Sequence, residues 1–207
     1  MPFDQLVLFF GTSLLLGLVP GPDNLFVLSQ SLVFGVRAGL LVMLGLCTGL
    51  IFHTALVALG LAALIAASEQ LLISIKVTGV CYLLYLALLS WKDSGRLRSA
   101  KSQKQLSSWQ LYWRGILMNS TNPKVALFFL AFLPQIVDVS YGLVTTQIML
   151  LGMIFIVSTV LVFGGIALLA GSYSKRLAHS NQRRVMLNRS VSVVFVLLAV
   201  NLLLNMF

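Results

Sequence analysis

The stretch Leu18-Val19-Pro20-Gly21-Pro22-Asp23-Asn24-Leu25 interrupts the first long apolar run of the chain, and Ser120-Thr121-Asn122-Pro123-Lys124-Val125 interrupts the fourth. Proline removes a backbone donor and clashes with the preceding turn of a helix. Gly21 between two prolines makes a continuous helix there improbable. The two interruptions lie about half of the 207 residues apart. In lipid an unpaired backbone group costs several kcal/mol, so irregular backbone persists only inside protein or beside water. Paired breaks at corresponding places in two halves point to a binding site at mid-membrane.

The surrounding composition supports that setting. The chain is 59% hydrophobic and 9% charged, with a mean hydropathy of +1.00. A soluble domain does not need this much apolar surface, and several runs exceed the ~18–20 residues that span a hydrocarbon core. The reading is an all-α integral membrane protein with six spans, at about 5–34 (broken at Pro20-Gly21-Pro22), 38–67, 70–91, 109–133 (broken at Asn122-Pro123), 143–170 and 187–205. Cys47 and Cys81 fall within apolar runs and are expected to be small buried hydrophobes, with no disulfide framework. No cleavable leader pattern is visible, so the first span is expected to remain.

Net charge is +9, and of the 14 Lys/Arg all but Lys76 and Lys124 lie near one set of span ends. Arg37 follows span one. A basic loop, 92–108, follows span three, with Arg114 just beyond it, and a second basic loop follows span five. The opposite loops carry Glu69 and Asp138. Positive loops stay in the cytoplasm, which predicts outward-facing termini. Span one then enters from outside and span four from inside. The expected architecture is a single domain, 1–207, built as a 3+3 inverted repeat of halves about 1–91 and 109–207. The basic clusters lack interleaved aromatics, so nucleic acid is discounted as a partner, and contact with anionic lipid headgroups is a secondary role for them. Gly45 and Gly49 have the spacing of a small-residue helix contact.

The chemistry follows from the breaks. Pro22 and Pro123 suit the first position of a restarted helix, and Thr121 or Asn122 suits an N-cap. At ~1.5 Å per residue, Asn122 lies roughly 18 Å into its span. Lys124 then sits in the first turn of a half-helix, where a cation opposes the dipole, and an intramembrane charge costs at least ~2.5–3.5 kcal/mol. Asp23 or a bound carboxylate would offset both penalties. Two helix N-termini, the Asp23 carboxylate, the Lys124 ammonium and the amides of Asn24 and Asn122 suit a small zwitterion. Each residue also has a plainer reading. Asp23 could cap its own helix, and Asn24 could be interhelical glue. Lys124 could pair with Asp23. His53 could relay protons or rest neutral against a hydroxyl or carbonyl. Lys76 could take part in proton coupling or snorkel to the interface. Tyr82 could line the cavity or anchor packing.

Taken in order, Pro20-Gly21-Pro22-Asp23-Asn24-Leu25, Leu-Met-Asn-Ser-Thr-Asn-Pro-Lys at 117–124 and Phe128-Phe129 through Phe132-Leu133-Pro134-Gln135 resemble the LysE/RhtB family of amino-acid exporters. Lys76, Gly79, Tyr82 and Leu83 match that family's Lys-x-x-Gly-x-x-Tyr-Leu pattern. The resemblance covers essentially the whole chain. Late in spans three and six, where the family has glycines, this chain has Ala87 and Ser192. The resemblance implies proton-driven efflux of amino acids across the cell (inner) membrane, with the neutral homoserine, threonine and leucine branch nearer than the basic one. Substrate contacts would then come from Pro20, Gly21, Pro22, Asp23, Asn24, Tyr82, Asn122, Pro123 and Lys124, and proton coupling from Asp23, His53 and Lys76.

The implied partners are a small amino acid, protons and membrane lipids. No cofactor and no enzymatic activity are expected, and self-association into a homo-oligomer stays open. No Walker-type motif argues for direct ATP use. Two alternatives remain open at this point. One is a cation exporter of the related superfamily, although Asp23 and His53 alone are deep candidate ligands. The other is a non-transporting membrane scaffold.

Overall fold

The computed structural model describes residues 1–19, 21–67, 69–92 and 105–172, together with residues 189, 192, 193, 196, 197, 199, 200 and 203. Among them the regular structure is helical, because a helix pairs its backbone donors and acceptors within one segment. The first interrupted run gives α1 (Phe3–Leu18) and α2 (Pro22–Phe34), bent by 63° from each other. Two uninterrupted helices follow, α3 (Val36–Ala67) and α4 (Glu69–Lys92). The fourth run gives α5 (Ser108–Ser120) and α6 (Pro123–Ile136), bent by 46°. A single 3-10 turn, Val139–Tyr141, leads into α7 (Val144–Ser172). The described residues from 189 to 203 that belong to the expected sixth span are helical.

Both restarts occur at proline. Pro22 and Pro123 open α2 and α6, where the missing N–H is harmless. Gly35, at a φ of +86°, supplies the left-handed residue that joins α2 to α3 in one step. The capping box of Ser107 and Gln110 starts α5: Gln110 N–H donates to Ser107 Oγ, and Ser107 N–H to Gln110 Oε1.

Segments Val36–Gly60 and Val144–Ser172 have mean hydropathies of 2.2 and 2.6 and are long enough to cross a membrane, as each bent pair is if taken as one span. Large apolar side chains face outward along them, including Leu44, Ile51, Leu59, Met153, Val157 and Leu161. Buried polar groups such as Asp23, Gln30, Asn119, Asn122 and Lys124 lie inside. This reversal of the usual distribution suits a lipid solvent. Cys81 is exposed and free, which corrects the expectation of burial, and Cys47 is half-buried and free. A thiol is weakly polar and tolerates exposure, so apolar neighbours in sequence did not imply a buried place.

Helix α3 is central, packing on α5 and α7 over most of its length. Of the half-helices, α1 packs on α7, α2 on both α3 and α7, α5 on α3, and α6 on α4 and to a lesser extent on α3. Small residues set the α3–α5 approach. A Cβ added at Gly45 would fall on the Tyr112 carbonyl and the Gly115 Cα; one at Gly115 would fall on the Val42 carbonyl. Backbone cannot swing aside as a side chain can. Gly45→Val should therefore destabilise the fold by at least about 1–3 kcal/mol. Gly11, which has open space around it, should accept alanine without loss. Thermal melting of the purified variants in detergent checks both expectations.

Packing is also close between Ala87 and Ser192. Ser192 Oγ donates to the Ala87 carbonyl at 2.7 Å, and both residues are buried. Nearby, Arg189 lies over the Trp91 ring at 5.3 Å.

The described core falls into two apolar clusters. One gathers Phe9, Phe128, Phe129, Phe132 and Phe155 with Leu16, Leu50 and Val125; the other gathers Val27, Val42, Leu46, Val162 and Phe163. Along α7 the buried residues between these clusters are Ser158 and Thr159; along α1 and α2 they include Asp23 and Asn24. The broken helix ends meet in this polar layer.

Candidate functional site

The α6 break is built by Asn122. Its Oδ1 accepts the Lys124 backbone N–H at 2.9 Å and so caps the helix. Its Nδ2 donates to Asp23 Oδ2 at 2.6 Å. One amide therefore ties the restart of α6 to the first turn of α2. Asp23 is 2% exposed, and its Oδ1 has no hydrogen-bond partner among the described residues. A buried carboxylate oxygen left open is costly unless something donates to it.

Lys124 differs from the sequence expectation. Its Nζ donates to the carbonyls of Leu16 and Val19, each at 3.2 Å, rather than pairing with Asp23. Among the described residues no ion pair joins the two side chains. The ammonium meets the C-terminal end of α1, the negative end of the helix, where a cation is favoured; the Leu16 carbonyl accepts the Val19 N–H as well. The penalty of placing a cation on the first turn of α6 is thus met by the negative end of a neighbouring helix. Sequence reasoning missed this because α1 ends and α6 begins more than a hundred residues apart.

Asn24 is buried and donates through Nδ2 to the Gly17 carbonyl at 2.6 Å, bridging α2 to α1 across their break. Its Oδ1 has no partner among the described residues. Gly21 is the N-cap of α2, with no side-chain cap bond. An added Cβ there would stand 3.4 Å from Lys124 Nζ, so a larger residue would crowd the ammonium. Pro22 and Pro123 are exposed on the outer surface of their helix starts. They open α2 and α6 and so shape the breaks through backbone geometry. Pro20 lies outside the described residues.

His53, on α3, is buried, with Nε2 2.9 Å from the Asn119 carbonyl oxygen. That oxygen can only accept, so Nε2 carries the proton. Phe52 and Phe129 flank the ring at centroid distances of 6.0 Å each. His53 thus stands behind the α5 break. Lys76 and Tyr82 belong to α4, but their side chains lie outside the described residues.

A narrow, partly open hollow lies between the breaks. Leu16 and Gly17 of α1, Asp23 of α2, Asn119 of α5, Lys124 and Val125 of α6, and Phe155, Thr159 and Phe163 of α7 line it. It is far smaller than a ligand pocket, which encloses about 300–1,000 Å³. The free space is thin, with room at its middle for about one water molecule. Sequence reasoning missed Asn119, Phe155, Thr159 and Phe163. The available signal was Ser158-Thr159, the one polar pair in the middle of the α7 sequence.

Relatives give this geometry a context. The chain is 30% identical over 197 residues to the homoserine/homoserine lactone efflux protein of Salmonella typhimurium, covering 95% of each chain. It is 36% identical over 124 residues to the leucine efflux protein of an Enterobacter species, covering 59% of each. It is 35% identical over 127 residues to an uncharacterized membrane protein of Vibrio cholerae, covering 61% of this chain and 62% of that one. No solved structure matches. The model of the LysE type translocators, a transporter family, matches residues 14–206, and the chain belongs to that family.

Proposed function

We propose that this membrane protein exports small neutral amino acids from the cytoplasm in exchange for protons, through six spans arranged as a 3+3 inverted repeat. One observation carries the reading: a buried carboxylate oxygen of Asp23 stands without a partner among the described residues, beside a hollow walled by both broken helix pairs. An ammonium group would satisfy it. The activities for which the Salmonella and Enterobacter relatives are named, homoserine/homoserine lactone and leucine efflux, supply the substrate class.

In this reading Asp23 holds the amino group of the guest. The third N–H of Lys124 and the uncapped N-terminus of α2 serve its carboxylate. Asn122 and Asn24 position the two restarts, and the prolines and Gly21 keep the breaks open. The hollow is too thin to admit an amino acid as it stands, so it corresponds to a closed stage of an alternating-access cycle. The packing of α1 on α7 and of α5 on α3, each half-helix against the long helix of the other half, supports two halves that rock against each other. Protons would return through Asp23, with His53 and the α4 residue Lys76 as relay candidates. Basic loops in the cytoplasm and both termini outside complete the proposed topology.

The test is efflux of a preloaded amino acid from cells expressing the chain, with ATP maintained. An uncoupler should abolish efflux against a gradient. Efflux that ignores the uncoupler would remove the antiport step and leave the transport reading standing. Expression that changes no amino-acid efflux at all would remove both.

A further inference from the structure

Two buried side-chain oxygens stand open at the same hollow. One is Asp23 Oδ1 and the other is Asn119 Oδ1, and neither has a hydrogen-bond partner among the described residues. The two residues are 2% and 3% exposed. Thr159, also buried, supplies a third acceptor in that wall. Its hydroxyl donates to the Phe155 carbonyl at 2.9 Å, so only the lone pairs of Oγ1 remain for anything else.

The place of Asn119 is fixed from α3. Its carbonyl accepts the Asn122 N–H and the His53 Nε2–H, each at 2.9 Å. A Cβ added at Gly49 would stand 2.7 Å from the Asn119 Cβ and 3.0 Å from its Oδ1, so bare α3 backbone borders the side chain. An acceptor held this firmly, buried and unpaired, costs free energy until a donor reaches it.

Three acceptors, with room for about one water-sized group, limit what fits. A primary ammonium is close to water in size and has three N–H donors where water has two O–H. The Asp23 carboxylate adds the matching charge. Lys124, in the same wall, already gives two N–H groups to the Leu16 and Val19 carbonyls, and its charge repels a bare cation. A zwitterion can turn its carboxylate to Lys124 and its ammonium to the three oxygens.

We propose that Asn119 Oδ1 and Thr159 Oγ1 join Asp23 Oδ1 as a three-acceptor seat for a primary ammonium, which makes Asn119 a substrate-binding residue and restricts the cargo to primary amines. The inference rests on the amino-acid export reading and deepens it. An N-methyl group would remove one donor, leave one buried oxygen unpaired and need space that the seat lacks. The loss of one charge-assisted bond lowers affinity by about 10–150-fold. Proline, a secondary amine, is rejected on the same ground. With Asp23 as sole acceptor, an N-methylated guest would keep a donor for it and lose little.

The experiment is counterflow in proteoliposomes of the purified full-length chain. They are loaded with unlabelled leucine or homoserine and take up the same compound labelled. The N-methylated form of that amino acid, and proline, are offered as competitors. Each should need at least about tenfold more than the unmethylated parent to halve uptake. Asn119→Ala, checked for folding by its melting curve, should raise half-saturation by about 10–150-fold. It should also accept the N-methylated form nearly as well as the parent, because the methyl group enters where the amide stood. Equal competition by the N-methylated form in the wild type would overturn the seat. A folded Asn119→Ala that keeps the wild-type affinity or preference would overturn it too, and if alanine does not fold, the wild-type competition decides alone. Exchange of neither leucine nor homoserine is a different result, which removes the export reading and the seat with it.

Discussion

Asp23→Asn should stop export while leaving the protein folded. The asparagine keeps an oxygen that can accept from Asn122 Nδ2, so the 2.6 Å tie between the two breaks survives. The charge does not. If the open oxygen of Asp23 takes the guest's ammonium, its loss removes a charge-assisted hydrogen bond worth about 1.5–3 kcal/mol. At tenfold per 1.4 kcal/mol, efflux at low substrate falls by about 10–150-fold. The same change removes the proposed proton carrier, so any remaining flux should no longer respond to an uncoupler. Initial efflux rates and a melting curve in detergent decide the matter. Wild-type efflux from Asp23→Asn would show that the residue is only a helix-start carboxylate.

Lys124→Met should weaken the fold modestly and transport severely. Two opposing quantities set the stability change. The bonds from Nζ to the Leu16 and Val19 carbonyls are charge-assisted and together contribute about 3–6 kcal/mol. Placing a lysine at membrane depth costs about 2.5–3.5 kcal/mol or more, and methionine avoids that cost. The bonds win by a small margin, so stability falls by about 1–2 kcal/mol and the melting point by about 2–8 °C. Transport suffers more, because the ammonium joins the end of α1 to the start of α6 at the wall of the hollow. A charge swap separates this from the pairing that the sequence suggested. Were Asp23 and Lys124 a structural ion pair, Asp23→Lys combined with Lys124→Asp would restore function. With Lys124 bound to carbonyls, an aspartate at 124 can donate nothing to them, and the double variant should remain inactive.

The described helices, two candidate single spans and two bent pairs, follow closely from hydropathy and proline position. Pro22 and Pro123 open their helices, and Asn122 caps as its side chain predicts. These features depend on a residue and its near neighbours, so a linear string carries them. Gly45 and Gly49 were legible as packing positions for the same reason, although their partner helix was not. The bond from Ser192 to Ala87 was illegible, because it joins two helices through one hydroxyl.

The candidate site divides along the same line. Asp23, Asn24, Asn122 and Lys124 stand out in the sequence because ionised and amide groups are rare at such depth. Their partners do not stand out. Asn119 and Thr159 are ordinary polar residues, and Phe155 and Phe163 are ordinary phenylalanines, until the helices place them around one hollow. The sequence by itself determined that this is a helical membrane protein with two broken spans, since the cost of unpaired backbone in lipid acts locally. Only the tertiary structure decided that Lys124 serves the carbonyl end of α1 while Asp23 keeps an oxygen open. Each assignment depends on which distant group lies within about 3 Å of a donor, the reach of a hydrogen bond, and chain order does not specify that distance.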